Sequence, residues 1–282
     1  MAAPSFAVDF DYKRFAPLMK ALGFDVVSEL TFGAKIVNER YYRYIKERYT
    51  ARIRPKKNGK KGASKKGGAD FQARFISSVC PASVELIRNR YPELKKYLLP
   101  FDSPMGAMAK IIHKNYPGHK IVFLAPCSFK KAEARMMRPK IIDACVTFAE
   151  MKAIVENEKP HARRSPHMFD SFYNDYTKVY PLSGGLSRTL HSKDILLEKE
   201  MVACDGCIDI VKLFSSHPDK VFYDILFCSG GCIGGPGVAS KMPLYLRKKS
   251  IMGYVKVAKK ESMRGHEGLD RYVKGLDFSK KF

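Results

Sequence analysis

Three cysteines each stand at the point where a buried strand is predicted to end. Cys80 follows the apolar segment FISSV, Cys127 follows KIVFLA after one proline, and Cys228 follows FYDILF. Loops at the carboxyl ends of parallel strands are where α/β folds bind their ligands. A chain with this pattern has to bring three distant segments to one site, and few folds can do so.

Strand-like and helix-like patterns alternate along the whole chain. Apolar residues recur at helical spacing in 10–24, 34–49, 103–116 and 149–158, whereas 25–30, 75–79, 120–125, 141–148 and 222–227 are typical of strands. Ser103 and the Cys80–Pro81 pair are suitable helix starts. The alternation predicts an α/β fold with mostly parallel strand pairing. We expect one domain over residues 1–282, closed by a helical segment at 238–282.

The glycine-rich segment FCSGGCIGGPGVAS (227–240) adds a fourth thiol, Cys232, and five glycines. Glycine lets the backbone come close to a bound group, and thiolates are soft ligands for iron, copper or zinc. Together with Cys80, Cys127 and Cys228, this thiol makes the four ligands of a cubane iron–sulfur cluster. The wide spacing differs from the close pairs of a small zinc module, although zinc and unliganded thiols stay open as alternatives.

The remaining cysteines point to no second metal site. The total of seven is odd, and the N-terminal segment lacks the pattern of a secretion signal, so a disulfide framework is disfavoured. Cys204 and Cys207 have the spacing of a redox or zinc half-site, but no second pair completes it, and we interpret them as structural thiols. With no apolar run long enough for a bilayer, we expect a cytoplasmic protein.

The formal net charge of +23 requires an explanation of its own. Part of it lies in residues 52–68, which carry lysines, arginines and glycines but no acid, and which we predict to be a flexible basic insertion. Such a surplus suits nucleic acid, an anionic membrane surface or an acidic protein. The insertion has no aromatic residues for base stacking, which makes nucleic acid a minor alternative.

Three short segments carry a resemblance to a known family. SSVCP (77–81), APCSFKKAEA (125–134) and FCSGGCIGGPG (227–237) resemble, in order and spacing, the three signature motifs of the iron-only (FeFe) hydrogenase catalytic domain. APSFAV (3–8), LGFDVVSELTFGA (22–34) and PFDSPMGAMAK (100–110) resemble the segments around them, so the likeness covers nearly the whole chain. Within that family, the chain most resembles the divergent minimal or sensory-type branches. The resemblance implies two lobes of mostly parallel sheet flanked by helices, with an iron–sulfur site between them.

The resemblance also implies a cofactor, the H-cluster, and a role for each matching residue. Cys80, Cys127, Cys228 and Cys232 would hold a 4Fe-4S cluster, and Cys232 would bridge it to a two-iron subcluster with CO and CN ligands. Residues implied to border that subcluster are Pro4, Ser5, Val79, Ala125, Lys130, Leu226, Gly230 and Gly231, with Lys130 and Ser5 meeting the cyanides. The implied reaction is the anaerobic, reversible reduction of protons to hydrogen. An acidic ferredoxin would carry the electrons, and maturation proteins would supply the two-iron unit.

Several positions depart from the pattern of active family members. Val79 stands where those members have a proton-transferring cysteine, and a valine has no proton to give. Ala125 and Leu226 replace methionines, and the relay glutamate and serine fall on Tyr41 and Leu99, with Glu39 as a nearby substitute. These departures predict slow turnover, or a sensory or electron-transfer protein that keeps the cluster. A nucleic-acid-binding protein with a structural cluster is a third hypothesis.

Overall fold

The structure is a computed structural model that describes residues 1–53, 74–163, 169–170, 176–190, 194–206, 209–258 and 270–282. Nearly all of the predicted basic insertion at 52–68, and Cys207, lie outside the described residues. The first two residues of that insertion, Arg52 and Ile53, belong instead to a long helix.

The described strands form two small parallel sheets. They are β1 (Phe75–Ile76), β2 (Val122–Ala125), β3 (Ala144–Thr147), β4 (Met201–Asp205) and β5 (Phe222–Leu226). One sheet has the order β1-β5-β4, and the other pairs β2 with β3. Every pairing between these strands is parallel. The predicted α/β class with parallel sheets is thus confirmed.

Helices connect and cover these strands. They are α1 (Tyr12–Ala21), α2 (Thr31–Ile53), α3 (Pro81–Arg90), α4 (Pro104–Asn115), α5 (Phe129–Met136), α6 (Phe148–Glu158), α7 (Gly185–Thr189), α8 (Ile210–Ser216), α9 (Leu244–Ala258) and α10 (Asp270–Val273). The predicted cap of α4 is present, since Ser103 Oγ accepts a hydrogen bond from Gly106 N at 3.3 Å. A capping box between Thr147 and Glu150 starts α6. Among the described helices, none combines the length and the hydropathy needed to cross a membrane.

All five predicted strands are shorter than expected, and the segments 25–30 and 75–79 lose the largest share of their length. In place of a strand, the segment 25–30 has isolated bridge residues at Ser28 and Glu29, and Glu29 pairs in parallel with Ala2. A longer strand is prevented because the Glu29 side chain is fully buried in an ion pair and α2 already begins at Thr31. The segment 75–79 ends as a strand at Ile76, because Ser77 uses its side chain, not its backbone, to accept a hydrogen bond from Ile225 N at 3.1 Å.

Strand β5 lies at the centre of the core and divides it in two. All five of its residues are buried. Phe222 and Leu226 pack into the larger hydrophobic cluster, while Tyr223 and Ile225 face a smaller cluster with α3 and α8. Alternation along the strand therefore gives β5 two buried faces, and its carboxyl end leads into the glycine-rich segment.

A buried ion cluster ties the N-terminal part of the chain to α9. It consists of Glu29, Thr31, Lys178 and Tyr254. The Lys178 ammonium pairs with the Glu29 carboxylate, and neither side chain is exposed. Tyr254 donates a hydrogen bond to Glu29 Oε1 at 2.6 Å, and Thr31 donates to Glu29 Oε2 at 3.0 Å. The charge on Glu29 is thus matched by three donors in the protein interior.

Candidate metal centre

Four half-buried thiols reach the site from three loops. Cys80 occupies the N-cap position of α3, and Cys127 lies between β2 and α5. Cys228 follows β5 by two residues, and Cys232 lies in the 3-10 turn Gly231–Gly234. Because β1 and β5 are parallel neighbours, the chain after each of them leaves the same edge of one sheet. The loop after β2 meets them from the second sheet, since Gly237 N donates to Pro126 O at 2.8 Å.

The four thiols influence one another electrostatically. Burial raises the pKa of Cys232, and the neighbouring Cys80, Cys127 and Cys228 raise it further. Burial, followed by Cys127 and Cys80, raises the pKa of Cys228 to about 11. Burial raises the pKa of Cys127 as well, and Cys80 adds to this. Every pair among the four therefore interacts, which means that the thiols converge on one site.

Four cysteine thiolates are a ligand set for a zinc ion or for a four-iron cluster. Among the described residues, no three His, Cys, Asp or Glu side chains are close enough together to hold one metal ion. The raised pKa values of Cys127, Cys228 and Cys232 favour the neutral thiols, and a bound metal would hold these three as thiolates.

Lys130 is fixed as a cation beside the thiols. Its ammonium donates hydrogen bonds to Glu133 Oε2 at 2.7 Å, to Ser103 Oγ at 3.1 Å and to Val79 O at 3.5 Å. Burial works against its charge, but the Glu133 carboxylate outweighs this, and Cys80 and Cys232 add to the effect, so the pKa of Lys130 is raised. A charged donor is thus held between the first and second cysteine motifs.

Ser5 brings an unpaired hydroxyl into the interior. The 3-10 turn Pro4–Val8 is positioned beside β2, because Ala3 N donates to Leu124 O at 3.2 Å. Ser5 is fully buried, and its Oγ has no hydrogen-bond partner within the part of the chain that the structure describes. Buried hydroxyls are nearly always hydrogen-bonded. The unpaired Oγ therefore fits a bound polar group, and the four thiols fit a cluster next to it.

Glycine is required where the third motif passes the other loops. Gly231 has a φ of +73°, and a Cβ there would lie 2.7 Å from Pro181 O. A Cβ on Gly237 would lie 2.7 Å from the Pro126 carbonyl carbon and 2.9 Å from Cys127 N. All three distances are too short for real atoms. Gly231 can therefore lie against Pro181, and Gly237 against the Cys127 loop, only because these residues have no side chain.

Substituting Gly237 with alanine is expected to loosen the site. The added methyl group would push the Cys127 loop away, at a cost of about 1–3 kcal/mol in the free energy of unfolding. Gly253→Ala is the matched control, because a Cβ at Gly253 in α9 meets nothing within 4 Å. Thermal unfolding and iron content of the two variants measure the difference, and equal stability would contradict the close approach.

Three apolar residues implied to border the two-iron subcluster lie in the interior. Val79, Ala125 and Leu226 are all buried. Leu226 Cδ1 approaches to 3.0 Å from where a Cβ of Gly231 would lie, and the Lys130 ammonium contacts Val79 O. Leu226 therefore lies next to the loop that carries Cys232, and Val79 lies next to Lys130.

The positions of the usual proton relay carry no exposed acid. Tyr41 is fully buried, and its hydroxyl lies 2.8 Å from Ser78 Oγ. Ser78 Oγ in turn donates to Leu99 O at 2.7 Å. Glu39 instead pairs with Lys35 at 3.9 Å, with 40% of its side chain exposed. Tyr41 therefore forms a closed hydroxyl pair with Ser78, the residue before Val79, and Leu99 takes part only through its backbone carbonyl.

The sequence analysis missed several residues that shape the site. Glu133 fixes Lys130 through an ion pair. Residues three apart on a helix are neighbours, so this pair could have been predicted from the sequence. Asp9 accepts hydrogen bonds from Ala239 N at 3.1 Å and Ser240 N at 2.6 Å. Arg247 donates to the carbonyls of Ile233, Ser240 and Met242. We call Asp9 and Arg247 the loop clamp, because they hold the segment after Cys232 from two sides.

Cys145 and Cys204 are half-buried and contribute to no metal site among the described residues. Cys204 pairs with Ile225 in the ladder between β4 and β5 and packs against the smaller hydrophobic cluster. Its predicted role as a structural thiol agrees with this packing.

Comparison with known proteins places this chain in one family. Residues 1–236 match the family described as iron-only hydrogenase large subunit, C-terminal domain. A HydA structure that shows stepwise assembly of the H-cluster in an [FeFe]-hydrogenase has a TM-score of 0.70 at 15% identity, covering 99% of this chain and 89% of that one. An apo form of HydA1 from Chlamydomonas reinhardtii, in a cysteine-to-histidine variant, gives the same TM-score, identity and coverage. At this identity the solved structures show the fold.

Proposed function

Since the chain belongs to the iron-only hydrogenase large-subunit family, we propose that it interconverts protons, electrons and hydrogen at an iron–sulfur centre. Cys80, Cys127, Cys228 and Cys232 would hold a 4Fe-4S cluster, with Cys232 bridging to a two-iron subcluster that carries CO and CN ligands. The observation that carries the proposal is the convergence of these four thiols from three loops. The two-iron unit, when bound, supplies the iron at which hydrogen is made or split.

The protein's own residues would bind and orient that unit. Lys130, held charged by Glu133, would donate a hydrogen bond to one cyanide, and the unpaired Ser5 hydroxyl would donate to another. Val79, Ala125 and Leu226 would exclude water from the reacting iron. Backbone N–H groups of the glycine-rich segment would tune the potential of the cluster through hydrogen bonds.

A sensory or electron-transfer role is the second candidate. Val79 favours it, because the residue next to the first ligand has no proton to transfer. The closed Tyr41–Ser78 hydroxyl pair favours it as well. In this role the protein would keep the cluster and turn over hydrogen slowly or not at all.

The partners follow from charge and from the exposure of the site. The net charge of +23 would attract an acidic ferredoxin or a similar carrier. Ser128 and Phe129, next to Cys127, are exposed, so a carrier could approach the cluster from this side. We further propose that maturation proteins supply the two-iron unit and that the protein works in an anaerobic cytoplasm.

Anaerobic infrared spectroscopy tests the proposal directly. The protein would be reconstituted with iron and sulfide, loaded with a synthetic two-iron precursor, and assayed for hydrogen on the same sample. We expect sharp CO and CN bands together with hydrogen evolution. Bands without hydrogen would favour the sensory candidate, and an intact 4Fe-4S cluster without bands would overturn the two-iron assignment.

Lys130→Met provides a sharper version of this test, with Lys131→Met as its matched control. Lys131 follows Lys130 directly, but its ammonium pairs with Glu150 and not with Glu133 among the described ion pairs. We expect the Lys130 variant to shift a CN band or to lose the two-iron unit, and the Lys131 variant to retain the wild-type spectrum. Identical spectra for both would remove Lys130 from the site.

A further inference from the structure

Ser83 is a buried serine in the first turn of α3 that the proposed site does not use. It lies three residues after Cys80, and only 1% of its surface is exposed. Its Oγ has no hydrogen-bond partner in the part of the chain that the structure describes. Buried hydroxyls are nearly always hydrogen-bonded, and leaving one unpaired is costly. The Ser83 hydroxyl therefore fits an acceptor that arrives with a bound group.

The geometry of α3 directs Ser83 toward Cys80. Cys80 is the N-cap residue of this helix, so Ser83 occupies its third helical position. Side chains of a helix tilt toward its N-terminus, and residues three apart lie on the same face. In a capping box, the side chain at this third position reaches back to the N-cap residue. The Ser83 hydroxyl thus lies on the Cys80 side of the helix, within its first turn.

The Cys80 sulfur is not used to cap its own helix. Its side chain accepts no hydrogen bond from the first turn of α3, whereas the side chains of Ser103 and Thr147 accept such bonds in α4 and α6. Pro81, the first residue of α3, has no N–H to give. The sulfur of Cys80 is therefore left to a metal and to a donor such as Ser83.

A hydrogen bond to a metal-bound thiolate changes the potential of an iron–sulfur cluster. Hydrogen bonds to the sulfurs and the surroundings of the ligands are among the features that set this potential. Reduction by one electron adds negative charge, and hydrogen bonds to charged acceptors are stronger. The N-terminus of α3 also favours negative charge. A donor at this place thus stabilises the reduced form more than the oxidised form.

We propose that Ser83 is a positioning residue whose hydroxyl donates a hydrogen bond to the Cys80 thiolate and so raises the reduction potential of the 4Fe-4S cluster. This inference rests on the proposed function, because it needs a cluster held by Cys80. The serine keeps its proton, and none of its covalent bonds breaks. One electron reaches the cluster from an external carrier, and the hydrogen bond shifts only the equilibrium between the oxidised and reduced forms.

A redox titration of the protein carrying its 4Fe-4S cluster, before the two-iron unit is added, tests the inference. Dithionite supplies the electrons, and electron paramagnetic resonance counts the reduced clusters. We expect Ser83→Ala to shift the ratio of oxidised to reduced cluster about tenfold toward the oxidised form, which for one electron is a midpoint about 59 mV lower. Ser250→Ala is the matched control, because this helical serine donates to Leu246 O at 3.2 Å within α9, and its midpoint should equal that of the wild type.

Exchangeable hydrogen near the cluster gives a readout that a purely structural role would not change. Hyperfine spectra of the reduced cluster in heavy water report deuterons close to its sulfurs. We expect the wild type to show a coupled deuteron that Ser83→Ala lacks. Ser83→Thr keeps a hydroxyl at the same place, so it should restore both the deuteron signal and most of the midpoint.

The outcomes separate this inference from the proposed function. Ser83→Ala with a wild-type midpoint and an unchanged deuteron signal would overturn the role of Ser83 alone. A lower midpoint with the deuteron signal retained would assign the hydrogen bond to another donor and would also overturn it. Wild-type protein that assembles no 4Fe-4S cluster would overturn the proposed function, and the inference with it.

Discussion

Cys232→Ala is expected to abolish hydrogen evolution and the binding of the two-iron unit. In the proposed site this thiolate is shared by both parts of the cofactor, so its loss leaves three ligands for the 4Fe-4S cluster and no bridge. Burial and the other three thiols already raise the pKa of Cys232, so this thiol interacts with all three of the other proposed ligands. Removing another ligand such as Cys127 would weaken the cluster, whereas removing Cys232 would also separate its two parts.

Iron content and infrared spectra of the loaded variant measure this effect. Cys145→Ala is the matched control, since Cys145 is also half-buried and lies outside the four-thiol group. We expect the control to keep iron, CO bands and CN bands at wild-type levels. A Cys232→Ala protein that retains its CO and CN bands would refute the assignment of the bridge.

The second large effect is a loss of stability when the buried ion pair between Lys178 and Glu29 is broken. Lys178→Met is expected to lower the free energy of unfolding by about 3–5 kcal/mol, because it leaves the Glu29 carboxylate buried without its cation. Tyr254 and Thr31 would still donate to Glu29, but two neutral donors do not replace a charge. A loss of this size is a large part of the total stability of most domains.

Chemical denaturation of a double variant shows whether the unpaired charge of Glu29 causes the loss of stability. Glu29→Gln combined with Lys178→Met removes both charges and keeps a side chain that Tyr254 can bond, so we expect much of the stability to return. Lys20→Met serves as the surface control, because the Lys20–Asp170 pair is exposed and should contribute only about 0–1 kcal/mol. Equal effects for Lys20→Met and Lys178→Met would mean that the buried ion cluster is not stabilised by charge.

The sequence was sufficient for the fold class and for the residues that gather at the site. Periodicity identified the buried strands, and parallel strands deliver the residues that follow them to one edge of a sheet. For this reason Cys80 and Cys228 could be placed together before the structure was known. Lys130 and Ser5 were found through the resemblance of their segments to a family, since neither position has a local pattern that marks it.

What the sequence could not predict depends on contacts between distant segments. The segment 25–30 has the composition of a strand, yet in the structure it forms isolated bridges, and its Glu29 is buried in an ion pair with Lys178. Asp224 belongs to the predicted apolar strand FYDILF. The sequence of a buried strand does not show which donors, if any, bond to a carboxylate within it. Pairing across 149 residues, as in Glu29 and Lys178, leaves no trace in local periodicity.

The loop clamp shows that the folded site needs more of the chain than its proposed iron ligands. The match to the family stops at residue 236, just after the last proposed iron ligand. Asp9 nevertheless reaches across to Ala239 and Ser240, and Arg247 bonds to both sides of that boundary, at Ile233 and at Ser240. A shortened chain that stops at the boundary would contain every proposed ligand, but the segment carrying Cys232 would have a loose end. The stretch that matches the family model and the stretch that must fold together are therefore different in length.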